Sequence, residues 1–296
     1  MIITDVGYVA FVLALILSLY GIVVSVLGAR RGLPELIASG RNATYVVGGL
    51  ALIAAFTLWS ALLNNQFQVE FVATHSERNL PLLYKVSALW GGQAGSLTFW
   101  TLLLCGFAVA ATWFFRNEQP SLRPYVNAAL LIAIAFFVAV VLIAANPFEK
   151  LWRAAGGQII AAVLPPTGAT PFIPADGQGL NPQLQNYWMV IHPIMLYLGF
   201  VGLTVPFAFA VAALVTGQLG NAWIKLIRKW TLIPWLFLSI GIIMGSQWAY
   251  VELGWGGYWA WDPVENASFL PWLTATAFIH SIMIQERRGM LKVWNM

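Results

Sequence analysis

The chain has 296 residues, of which 60% are hydrophobic and 9% charged, with a formal charge of +4 and one cysteine. No water-soluble domain of this size carries so little charge, so composition excludes a soluble globular protein and indicates an integral membrane protein. The basic residues stand in twos and threes between apolar spans, which argues against nucleic-acid binding, and the lone Cys105 excludes a disulfide, a CxxC redox pair or a thiolate metal cage within the chain.

The predicted fold is all-α, a polytopic transmembrane helix bundle of about seven spans, treated as a single membrane domain over residues 1–296. In order, the spans run from about Val6 to Leu27, Tyr45 to Leu63, Ser96 to Phe115, Tyr125 to Ala145, Pro193 to Thr216, Leu232 to Tyr250 and Pro263 to Gln285. Each has roughly the 20 residues that cross a ~30 Å hydrocarbon core, and none alternates as a barrel strand would. The first apolar run follows Asp5 rather than a basic segment, which predicts a retained helix instead of a cleaved leader.

Between the second and third spans, His75 sits in the polar stretch Ala73-Thr74-His75-Ser76-Glu77-Arg78 and reads as a solvated surface histidine. Trp90-Gly91-Gly92-Gln93-Ala94-Gly95-Ser96 lacks the lysine of a phosphate loop, so it reads as a glycine turn with Ser96 capping the third span. Cys105 reads as a small buried hydrophobe. The connection before the fifth span is rich in proline and glycine, with an apolar patch at Ile159 to Leu164 suited to a membrane surface. His192 precedes Pro193; a residue before proline is pushed out of helical geometry, and proline favours the first helical position. His192 is therefore expected at the mouth of the fifth span, as an iron ligand or a plain interfacial cap.

Ahead of the seventh span, Trp255, Tyr258, Trp259 and Trp261 fall within seven residues, a platform for a large flat ligand at a membrane surface. Asp262-Pro263-Val264-Glu265 then reads as a capping-box helix start: Asp at the cap, Pro at the first helical position, Glu three residues on. His280 lies within the seventh span, about 16 Å beyond Phe269 at 1.5 Å per residue. An imidazole at that depth needs a partner, either a haem iron or the carbonyl of a neighbouring helix.

Eleven basic residues, from Arg30 to Lys292, fall on one side of the spans, and Arg78, Lys85, Lys150 and Arg153 fall on the other. By the positive-inside rule the larger set is cytoplasmic. The N-terminus is then outside and the C-terminus cytoplasmic, and loops 64–95 and 146–192 are external together with the tryptophan-rich segment 251–268.

The run from Trp255 through Trp261-Asp262-Pro263-Val264-Glu265-Asn266-Ala267-Ser268 to Leu273 resembles the tryptophan-rich WWD signature of membrane haem-handling proteins. In this form, together with His75 to Leu104 and the stretch around His192, it is most similar to the CcmF family of cytochrome c haem lyases and their NrfE relatives. The resemblance implies a haem lyase of a bacterial inner membrane, acting on the periplasmic face, that joins haem to apocytochrome c. Substrate haem, delivered by the chaperone CcmE, would rest on Trp255, Tyr258, Trp259, Trp261 and Asp262, with His192 on its iron. A haem b would be held through His280 and take electrons from quinol; CcmH/CcmI-type thiol-handling proteins would be further partners. Tyr258 stands where members often have tryptophan. The chain ends at Met296, about half the family's usual length, so the second histidine of each haem is expected on a C-terminal half chain, unless the sequence is a truncated product. A haem-transfer module without ligation activity is the alternative reading, and a structural half-subunit with an aromatic belt is the third.

Overall fold

The computed structural model describes residues 3–252, 254, 256–291 and 294–295. Ten α-helices form the frame: α1 (Ile3–Arg31), α2 (Pro34–Leu63), α3 (Glu70–His75), α4 (Leu82–Ser87), α5 (Gln93–Phe114), α6 (Arg123–Ala144), α7 (Tyr187–Gly202), α8 (Thr204–Thr216), α9 (Asn221–Glu252) and α10 (Pro263–Arg288). Seven helical stretches are long and apolar enough to cross a membrane, α7 and α8 together making one of them. They match the seven expected spans but run longer. α1 extends past both ends of Val6 to Leu27 because its backbone stays hydrogen-bonded beyond the apolar stretch, and Asp5 at its start and Arg30 and Arg31 at its end complement the helix dipole. The α7/α8 break at Leu203 has a local cause: Pro206 cannot donate to the carbonyl of Gly202. Lys292, counted among the cytoplasmic basic residues, lies outside the described residues.

The chain divides into two compact units. The first takes the chain up to Ile16, Gly49–Leu102 and Ala135–Gln185. Its core is aromatic and aliphatic, with Phe11, Leu58, Leu62, Phe67, Phe71, Leu89 and Phe148 fully buried. Here the long connection before α7 contains a three-stranded antiparallel sheet, ordered β2-β1-β3, from β1 (Lys150–Arg153), β2 (Ile159–Ala162) and β3 (Thr170–Pro171). Ile159 to Ala162 are thus a strand paired in register with Arg153 to Lys150, where an apolar surface patch had been expected. The buried Lys150 ammonium is held by Asp5 of α1 at 2.5 Å. Backbone N–H groups of Arg78 and Gly177 donate to Asp176 and hold its carboxyl below the usual carboxylate range.

Two local expectations are corrected in this unit. His75 is half-buried rather than solvated: its ring stacks on Phe71 at 4.4 Å, its Nδ1 lies 2.8 Å from Thr74 Oγ1, and Gly92 packs directly on its Nε2. Ser96 is not the cap of α5, which starts at Gln93; it sits in the first turn, where its hydroxyl donates to the Trp90 carbonyl.

The second unit takes Leu17–Gly48, Leu103–Ile134 and the chain from Asn186 onward. Cys105 is buried here, as expected. A polar network joins α1, α2 and α6: Thr44 Oγ1 donates to Asn127 Oδ1 at 2.7 Å, and Asn127 Nδ2 donates to Ser25 Oγ and the Gly40 carbonyl. Interhelical hydrogen bonds of this kind contribute about 0.6 kcal/mol each and at most about 1.7. Asn127→Ala, which removes these three interhelical hydrogen bonds and leaves Thr44 Oγ1 only the Gly40 carbonyl, is expected to cost about 1–2 kcal/mol. Thermal unfolding in detergent measures it, and an unchanged midpoint would show that the network carries no stability.

α7 and α9 approach closely because glycines line their contact. A Cβ on Gly199 would lie 2.8 Å from the Leu238 backbone nitrogen, and one on Gly241 equally close to that of Leu196. Gly241 and Gly245 form a GxxxG pair on α9, the small-residue spacing that lets membrane helices pack backbone to backbone. α9 is tied to α10 by Trp235 Nε1 donating to Thr276 Oγ1, Trp272 Nε1 donating to Ser239 Oγ, both at 2.7 Å, and an Arg228–Glu286 ion pair at 3.0 Å.

Candidate haem-binding cleft

A cleft of about 500 Å³ opens in the second unit between α7, α9 and the segment leading into α10. Its volume is within the ~300–1,000 Å³ range of small-molecule and cofactor sites. Met189, Leu196, Tyr197 and Phe200 of α7 and Ile242, Trp248 and Ala249 of α9 make its walls largely apolar. The polar groups at its lining are few: His192, Ser246, Asp262, Glu265 and Ser268.

His192 is not ahead of its helix. α7 begins at Tyr187, capped by Asn186, whose side chain accepts from Trp188 N at 2.8 Å. The same Asn186 donates to Glu252 at the end of α9 at 2.6 Å. This tertiary anchor overrides the pre-proline preference, so Pro193 lies inside the helix and His192 is about a turn and a half from its start. The imidazole stacks on Trp248 at 5.8 Å, and its Nδ1 lies 3.2 Å from the Gly241 carbonyl. A carbonyl can only accept, so this contact puts the proton on Nδ1 and the lone pair on Nε2. Gly245 leaves room for the ring, since a Cβ there would lie 2.9 Å from Nδ1.

The aromatic segment is pinned to α10 by the capping box the sequence predicts. Asp262 Oδ1 accepts from Glu265 N at 2.7 Å, while Glu265 Oε2 accepts from Asp262 N at 3.3 Å and from Ala260 N at 2.8 Å. Asn266 donates to the Trp261 carbonyl at 3.0 Å and so holds Trp261 in a left-handed conformation, φ 58°. Asp262→Ala is expected to cost about 0.5–2 kcal/mol at this helix start. Hydrogen exchange checks it: amides of residues 264–267 should lose protection, and unchanged protection would leave the cap without a role.

The expected site residues separate. His192, Trp259 and Asp262 meet in the cleft. Trp261 is 65% exposed and stands edge-on to Trp259 at 5.6 Å, outside the lining. Tyr258 points elsewhere, stacked on Tyr250 at 4.4 Å. Trp255 lies outside the described residues. His280 is exposed on α10, its Nδ1 2.8 Å from the Thr276 carbonyl of its own helix, where a neighbouring helix had been the expected source of a carbonyl. Trp248, Gly241 and Gly245 were not singled out from sequence, although the GxxxG spacing of the two glycines was a readable signal.

Among the described residues no group of three or more His, Cys, Asp or Glu could hold a bare metal ion. One imidazole with a free Nε2 in an aromatic-walled cleft suits an iron whose other donors come from a macrocycle. Trp259 Nε1 is buried with no hydrogen-bond partner among the described residues.

The family of cytochrome C assembly proteins matches residues 90–296. The CcmF protein of Pseudomonas aeruginosa is 42% identical over 99% of this chain, and that of Escherichia coli 38% identical over 96%. The solved structure of a cytochrome c haem lyase CcmF superposes on all of this chain with a TM-score of 0.82 and 36% identity. The chain spans 42% and 40% of the two relatives' lengths and 44% of that solved chain. It belongs to the cytochrome c assembly protein family, and to the CcmF group within it.

Proposed function

We propose that the chain presents haem for ligation to apocytochrome c: each thiol of a CxxCH motif adds across a haem vinyl group, sulfur bonding to one carbon and hydrogen to the other. The observation that carries this reading is the meeting of His192, Trp259 and Asp262 in one cleft. His192 Nε2 would ligate the substrate haem's iron, with Nδ1 fixed by the Gly241 carbonyl. Trp259 would lie against the porphyrin, and the exposed Trp261 would form the outer rim on which haem arrives from CcmE. Asp262 and Glu265 hold that rim to α10. The chain's contribution is position and exclusion of water, since the reacting groups belong to haem and to the cytochrome.

His280, exposed with Nδ1 engaged on its own helix, would hold the iron of a haem b through Nε2. The chemistry that group would supply when bound is electron transfer from quinol to the substrate iron. We read its second histidine, and that of the substrate haem, as belonging to the part of the longer CcmF relatives that this chain does not span. CcmH/CcmI-type proteins would supply reduced thiols. The charge pattern supports a bacterial inner-membrane protein with the cleft facing the periplasm.

The test is a Trp259→Ala/Trp261→Ala double variant in cells reporting cytochrome c. Holocytochrome should be lost at unchanged chain abundance while haem-loaded CcmE accumulates. Unloaded CcmE would favour haem transfer without ligation, and normal maturation would end the platform reading.

A further inference from the structure

A second cavity, of about 400 Å³, lies where α1 turns into α2 and α5 into α6. Ile37, Phe115, Val126 and Phe209 give it apolar walls, and Arg41, Arg116 and Arg123 also line it. None of the three arginines forms an ion pair among the described residues, although Glu35 and Glu118 stand on the same connections. Arg123 Nη1 donates to the Arg116 carbonyl, which fixes the guanidinium, yet its Nε is buried with no hydrogen-bond partner among the described residues.

We propose that this cavity binds an anionic phospholipid, with its phosphate on Arg41, Arg116 and Arg123 and an acyl chain along Ile37, Phe115 and Phe209. Three guanidiniums that line one cavity without an ion-pair partner among the described residues favour an anion there, and a phosphate both neutralises them and matches their fork of donors. A free phosphate would leave the apolar volume to water, and a neutral lipid would leave the arginines without a counter-charge, so an anionic amphiphile satisfies both halves of the cavity. The position agrees: helix ends lie at the bilayer surface, and the charge pattern assigns this end to the cytoplasm, where anionic headgroups attract basic residues.

Native mass spectrometry of the chain released from vesicles of phosphatidylcholine and phosphatidylglycerol in equal parts tests this. The wild-type chain should retain phosphatidylglycerol. R41Q/R116Q, at two exposed positions, should lower retention about thirtyfold, and R41Q alone about fivefold, at unchanged melting temperature. K225Q/K229Q removes the same charge from exposed positions of α9 that do not line the cavity and should leave retention unchanged. Equal losses in both pairs, no loss in R41Q, or displacement of the lipid by millimolar inorganic phosphate would each overturn the proposal.

Discussion

His192→Ala should weaken haem binding about 100-fold or more without unfolding the chain. Loss of an outer-shell partner alone costs about 10–100-fold in metal affinity, and on the proposed function this change removes the ligand itself. The structural penalty is small by comparison: the Gly241 carbonyl loses one hydrogen bond, about 1 kcal/mol, and Trp248 loses a stacking neighbour. Titration of the purified chain with haem, followed in the Soret region, reads the affinity, and a thermal melt reads the stability. Added imidazole should restore part of the binding to the alanine variant, because it can occupy the vacated space with the same nitrogen. A purely structural histidine would not show that rescue, and undiminished haem affinity in the variant would remove His192 from the site.

Gly245→Ala should have a comparable effect without touching any ligand. The added methyl would lie 2.9 Å from His192 Nδ1 and 3.0 Å from Cε1, so the ring must move. Trp248 flanks it and the Gly241 carbonyl fixes its proton, so movement breaks the 3.2 Å contact that sets the tautomer. Haem affinity should fall about 10–100-fold. Gly241→Ala differs in kind, since its methyl meets the Leu196 backbone nitrogen and pushes α7 from α9, an overpacking cost of about 1–3 kcal/mol. Gly106→Ala is the control: no atom lies within 4 Å of the added carbon, and helix preference alone should raise stability by about 0.5–1 kcal/mol. Retained haem affinity in Gly245→Ala would show that the glycine has no part in placing the imidazole.

What could be read from sequence was what local interactions decide. The capping box at Asp262 and Glu265 is a contact over three residues, and the structure reproduces it atom for atom. The seven apolar stretches were visible because hydropathy reports burial in lipid, but hydropathy does not report where backbone hydrogen bonds stop, so α1 and α2 run longer than their spans. His192 was misplaced because the pre-proline rule is local, whereas the start of α7 is set by Asn186 bridging to Glu252, 66 residues away. The sheet in the connection before α7 escaped notice because its strands are four, four and two residues long. Tyr258 and Trp259 are neighbours in sequence, yet only Trp259 reaches the cleft. That division depends on Tyr250 offering Tyr258 a stacking partner on α9, which composition does not reveal.

The acceptor on His192 Nδ1 is a main-chain carbonyl, not a carboxylate. A neutral carbonyl draws on the N–H less strongly than an anion would, so the ring keeps less imidazolate character and donates less density through Nε2. An iron bound there would sit in a labile coordination, open to exchange against another imidazole. On the proposed function, the histidine of a cytochrome's CxxCH motif would then replace His192 on the iron, and the finished product would leave with it.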